Sequence, residues 1–164
     1  MSLIYDPKER KIYHEFKNLT KKIIDENHPS EPVISPNNNF AVYISPFEWE
    51  EIGSIYLLDL ENISKEKIYE PKNNNLNPKY LTWINNEKLA VVLGYAYGTI
   101  AAGGNVFSLD ISTRELTQLT HFPNEIQINS ISMENNTLNL SGIKYTDSEF
   151  INNEVYYSKI NLNT

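Results

Sequence analysis

The chain has 164 residues, 40% hydrophobic and 12% aromatic, enough to fill one ordinary core, and carries a formal net charge of −7. The absence of cysteine excludes a disulfide framework, a Cys-ligated metal, haem attachment and a catalytic thiol. The acidic balance argues against nucleic-acid binding, which rests on Lys and Arg neutralising phosphates, and no apolar run approaches the roughly 18–20 residues of a membrane span. The charge is uneven: residues 1–28 carry six basic and five acidic groups, residues 31–164 eight and sixteen.

The N-terminus, MSLIYDPKER, lacks the apolar region of a signal peptide, so the chain as given reads as cytoplasmic. It reads as extracytoplasmic if an upstream export signal has been removed. Residues 7–26 support two readings. Asp6-Pro7 with Glu9 resembles a helix cap, and Ile12, Phe16, Leu19 and Ile23 fall at helical spacing. Alternatively, Ile12 to Ile24 overlies Ile55-Tyr56 through Asn62-Ile63-Ser64 to Ile68-Tyr69, which makes it a β-hairpin. The match in two strands and a turn favours the hairpin, so residues 1–31 are expected to form a partial N-terminal unit or a helix.

Further along, short runs rich in Ile, Val, Leu, Tyr and Phe are punctuated by asparagine, 22 residues of the 164. Asn tolerates left-handed backbone and bonds its own turn. Three segments align: Val33 to Val42, Thr82 to Val91 and Ile131 to Leu140, with Phe40, Leu89 and Leu138 each 49 residues apart. A second set follows at nearly the same period, beginning at Ile55, Val106 and Val155. A third, Lys67 to Pro71 and Gln118 to Pro123, closes the first two units. Each unit thus reads as strands A, B, C and D of a four-stranded antiparallel meander. Repetition at about 40–50 residues is the mark of a propeller blade. The expected fold is all-β, a partial β-propeller of about three and a half blades. Repeat 1 covers 32–71, repeat 2 covers 78–123, and repeat 3 covers 126–164 without its last strand.

Ser35-Pro36-Asn37-Asn38, Phe40 to Ser45, Ile55 to Leu60 and Glu115 to Thr120 together resemble the repeat of TolB-type, WD-like β-propellers. That repeat has a Ser-Pro-Asp-Gly turn, an apolar strand ending in Ser, a strand ending in Asp-Leu, and a Leu-Thr ending. The sequence is also similar to a bacterial domain of unknown function built from such repeats in spore-forming Firmicutes. Asn37-Asn38 stands where the pattern has Asp-Gly, and Asn85-Asn86 and Asn135-Asn136 hold the corresponding turns. The resemblance implies the fold and a habit of binding other macromolecules; it carries over no catalytic residue. Three and a fraction blades do not close a ring without gaps. The chain is therefore expected to be part of a longer ring, to pair with a second copy, or to form an open arc.

Candidate ligand-binding residues lie in the loops between strands B and C. They are Phe47, Trp49 and Glu50 in the first loop, Tyr95 and Tyr97 in the Gly-rich second, and Tyr145 and Asp147 in the third. Rings beside carboxylates suit stacking and hydrogen bonding to a peptide, protein or glycan. The Gly-rich loop lacks the Lys-Ser/Thr of a P-loop. His14, His28 and His121 show no ligand spacing and no Gly-x-Ser-x-Gly elbow occurs, so no metal, cofactor or catalytic residue is expected. The expected function is a non-enzymatic recognition module using the B–C loop face. The alternatives are an assembly domain that pairs with itself as a homo-oligomer, and a glycoside-type hydrolase using the carboxylates at 48–51.

Overall fold

The structure, a computed structural model, describes residues 2–97 and 102–162. These form fourteen strands in four antiparallel sheets, joined in chain order. The first sheet contains β1 (Ser2–Asp6), β2 (Lys11–Glu15) and β3 (Lys21–Asp25); the second contains β4 (Val33–Ile34), β5 (Phe40–Ser45), β6 (Ser54–Asp59) and β7 (Ser64–Tyr69). A 3-10 turn at Asn74–Leu76 leads into the third, built from β8 (Asn77–Trp83), β9 (Lys88–Gly94), β10 (Asn105–Asp110) and β11 (Leu116–Gln118). The fourth has three strands, β12 (Ile126–Glu134), β13 (Thr137–Tyr145) and β14 (Asn153–Asn161). Residues 2–25 therefore form three strands joined by turns, and the helical reading of 7–26 is overturned. Ile12 and Ile24 face the core while Leu19 and Ile23 lie exposed, so the helical spacing of apolar residues was incidental.

Local side-chain chemistry makes these hairpins. After β1, β6 and β10 the same turn recurs: Asp6, Asp59 and Asp110 each accept two backbone N–H groups, from the second and third residues beyond. The fourth residue beyond, Arg10, Ile63 or Arg114, has positive φ. Those backbone N–H groups hold all three carboxyls below the usual range. The asparagines close the A–B turns in three ways. Asn37 accepts from Ser35 Oγ and Asn39 N, Asn85 accepts from Glu87 N and Lys88 N, and Asn135 and Asn136 both adopt positive φ.

Three apolar cores join the sheets, each between chain neighbours. Ile12 and Ile24 pack on Ala41, Tyr43 and Leu58; Val42, Ile44 and Ile55 on Leu89, Val91 and Leu109; Ala90, Val92 and Val106 on Ile128, Leu138 and Leu140. Among the described residues no core joins the first sheet to the fourth. Polar links reinforce the first two junctions. Asp25 accepts from Tyr43, Ser45 and Lys65, the last at 2.9 Å, and Trp83 Nε1 donates to the Val33 carbonyl at 2.9 Å.

Candidate functional site

One loop end of the four sheets holds a cavity of about 370 Å³, walled by the β5–β6 loop, the start of β8, the start of β12 and the end of β13. Its most prominent wall, Pro46 to Gly53, is held from both sides. From the first sheet, the Arg10 guanidinium binds the Glu48 carboxylate and the Phe47 carbonyl. From the third, the buried Asn77 carboxamide accepts from Gly53 N at 2.9 Å and donates to the Glu51 carbonyl at 3.2 Å. A Cβ on Gly53 would lie 2.6 Å from the Pro46 carbonyl oxygen, so the loop closes on itself only with glycine there. Thus anchored, it presents Trp49, 69% exposed, with Glu50 and Glu51 beside it at the rim.

The opposite wall is made by two irregularities in the strands. The β8–β9 ladder skips Lys79, and the β12–β13 ladder skips Asn129, fifty positions later. A β-bulge leaves one residue out of the ladder and re-aims its side chain. Both bulged residues line the cavity. Among the described residues there are two further bulges, at Ile24 in β3 and Ile68 in β7, and those residues enter the cores. Lys79 is half-buried, and burial pushes its ammonium pKa below the ordinary lysine value. It forms no ion pair or hydrogen bond with the described residues, although Glu50 and Glu51 line the same cavity. A smaller hollow adjoins the cavity, sharing Phe47, Lys79 and Tyr80 and bordered by Ser30, Glu31 and Ser130.

Of the residues expected from sequence, Phe47, Trp49, Glu50 and Tyr145 line this cavity. Tyr95 lies on a separate hollow and its hydroxyl reaches Asn124 Oδ1 at 3.4 Å. Tyr97 is exposed and borders neither. Asp147 directs its carboxylate to its own loop, accepting from Glu149 N, Ile151 N and Asn152 N, bonds that hold the group below the usual carboxylate range. Residues 98–101 of the Gly-rich loop lie outside the described residues. Lys79, Asn129 and Asn77 are absent from the candidates read in the sequence, and Glu51 enters there only among the carboxylates of the hydrolase alternative. No signal in the sequence marks Lys79 or Asn129, because the skipped rung at each is a property of two paired strands. Among the described residues, no cluster of three His, Asp or Glu side chains is placed to hold a metal ion, and no helix is long and apolar enough to cross a membrane.

A family model described as a domain of unknown function, DUF4652, matches residues 16–161. No curated protein matches the chain. Among solved structures, a candidate conserved lipoprotein from Clostridium novyi NT is similar at 25% identity and a TM-score of 0.74, covering 82% of this chain and 88% of that one. TolB from Acinetobacter baumannii matches at 16% identity and a TM-score of 0.56, over 94% of this chain and 37% of its own. The β-propeller domain of the Trilobed protease from Pyrococcus furiosus, which has an open velcro topology, matches at 21% and 0.56, over 96% of this chain and 51% of its own. The last two likenesses show the fold: the four sheets are blades of β-propeller type, and the chain spans about a third and a half of those two relatives.

Proposed function

The chain belongs to the DUF4652 family, a domain of unknown function, and we propose that it is a non-enzymatic recognition module that binds a peptide segment of a partner protein in the loop-end cavity. The observation that carries this reading is the composition of the cavity: an exposed indole and two exposed carboxylates on a pre-fixed loop, and a half-buried ammonium with no partner among the described residues. Binding sites combine apolar surface with a few fixed polar groups, and rings such as Trp49 give large contact area at small entropic cost. A peptide offers groups of both charge signs, matching Lys79 and the two glutamates. A neutral glycan offers hydroxyls that can donate to Glu50 and Glu51 but no formal charge to pair with the Lys79 ammonium. Glu48 is engaged by Arg10 while its neighbours stand in solvent, a setting that favours binding over hydrolysis. The likeness to a candidate lipoprotein supports work outside the cytoplasm, which cell fractionation with an antibody to the native protein would test.

The test is retention on an immobilised random decapeptide library. Wild-type protein is expected to select a defined set of peptides, and Trp49→Ala to weaken their binding at least tenfold with an unchanged melting temperature, since a central aromatic contact contributes about 2 kcal/mol or more. Failure to select any peptide would refute the reading.

A second reading, self-association, is favoured by the outer faces of the end sheets. Ile4, Tyr13 and Ile23 form one cross-strand row on the first, while Val155 and Tyr157, 67% and 76% exposed, project from the fourth. Light scattering at rising concentration checks it; a constant monomer mass would remove it.

A further inference from the structure

Resting on the peptide reading above, we infer that the cavity captures its peptide by the C-terminal carboxylate, held by Lys79 and Asn129. Four features converge. First, Lys79 lines the cavity, half-buried and with no carboxylate or hydrogen-bond acceptor bound to it among the described residues. A half-buried ammonium without a partner carries a desolvation cost, and a cavity that keeps one is suited to an anion arriving from outside.

Second, Asn129 brings a carboxamide to the same wall from the neighbouring inner strand by the same device, a bulge fifty positions later. Lys79 supplies charge and N–H donors, and Asn129 supplies neutral N–H donors, the combination that satisfies both oxygens of one carboxylate. The apolar bulges at Ile24 and Ile68 show that a bulge in this fold does not itself demand a polar residue.

Third, the carboxylates of the site are not placed to compete. Glu48 is occupied by Arg10, and Glu50 and Glu51 are exposed at the rim. The cavity therefore carries exposed carboxylates on the β5–β6 loop and a half-buried ammonium on β8. A chain entering with its anionic end first meets Lys79 there, while its side chains and any cationic residue lie against Trp49 and the two glutamates. Fourth, a peptide's interior has no negative charge on its backbone. Only its last residue carries an obligatory one, whatever the sequence, and a single half-buried lysine matches that terminal group. Acidic side chains are the competing source of the same chemistry, and the experiment separates them.

The random decapeptide library is presented in two forms, immobilised by the N-terminus: C-terminal free acid and C-terminal amide. Wild-type protein is expected to retain free-acid peptides about tenfold to a hundredfold more strongly, the range for a charge-assisted hydrogen-bonded pair. Lys79→Met is expected to abolish that preference, Asn129→Ala to reduce it, and Lys79→Arg to keep most of it. Melting curves establish that each variant is folded; should Lys79→Met fail to fold, the wild-type acid-to-amide ratio and the Asn129→Ala variant still decide. Equal retention of both forms would overturn terminal capture, whether the peptides selected are rich in Asp and Glu or not, while leaving the peptide reading intact. Absence of binding to either form would overturn both.

Discussion

The two middle sheets and the two end sheets are built from the same repeat but live in different environments. The central strands β5 and β9 are buried on both faces, from Ala41 to Ser45 and from Leu89 to Gly94, and read as continuous apolar runs. In the end sheets one face packs and the other meets solvent, so β14 alternates half-buried and exposed residues from Tyr156 to Asn161. The repeat therefore specifies strand order and turns, while position in the array decides how many faces must be apolar. It also explains where the cavity sits. The middle sheets supply the anchored loop and Lys79, and an end sheet supplies Asn129 and Tyr145.

Substitutions separate the two environments, and the largest difference is expected in the core. Leu89→Ala in the third sheet should cost about 2–5 kcal/mol in urea denaturation, whereas Ile23→Ala on the outer face of the first should cost under about 1. Comparable losses at both sites would mean that the end face is covered in solution.

Next in size is the junction between the first and second sheets. Burial alone would raise the Asp25 carboxyl, but Lys65, the Asn27 backbone N–H and Ser45 outweigh it and hold the group below the ordinary value. A carboxyl with a depressed folded pKa contributes stability above its unfolded pKa of about 3.9, and this is lost as pH falls through the lower folded value. The melting temperature should be level near neutrality and fall below about pH 4. Asp25→Asn should cost on the order of 1–3 kcal/mol at pH 7 and shrink that acid-side drop. The turn aspartates continue to contribute to whatever slope remains.

A smaller effect of opposite sign is expected within the first sheet. His14 is 2% exposed, packs edge-on against Phe16 at 4.6 Å, and neither ring nitrogen has a hydrogen-bond partner among the described residues. Replacing it with leucine should stabilise the protein by about 1 kcal/mol, read as a higher denaturation midpoint. The smallest change belongs to the outer face of the fourth sheet, where Val155→Thr should alter stability by less than about 0.5 kcal/mol. A larger loss that depends on protein concentration would show that this face pairs with another copy.

What was legible in the sequence follows the same division. The asparagine turns stood out because a residue that must adopt left-handed backbone or bond its own loop leaves few alternatives to Asn and Gly. The first strand was missed because Asp6 satisfies the N–H groups of Lys8 and Glu9, the chemistry that also caps a helix; only the residues that follow distinguish the two. Trp49 could be picked out by its company in a loop. Asp147 could not be judged, since a carboxylate that closes a turn and one that meets a ligand are the same residue in a sequence. Lys79 was invisible because its role depends on a skipped rung in the ladder, and pairing register is a property of two strands rather than one.

Because each core joins only chain neighbours, the molecule is thermodynamically a one-dimensional array of four units and three interfaces. Removing an end unit breaks one interface; opening a middle unit breaks two. Fraying should therefore begin at the termini and move inward, and amide protons of β5 and β9 should exchange last. The anchored wall of the cavity, tied through Asn77 to the third sheet, belongs to that slow-opening interior, while Asn129 belongs to an end unit. A ligand bridging the two would act as an additional interface, fastening the fourth unit to the array.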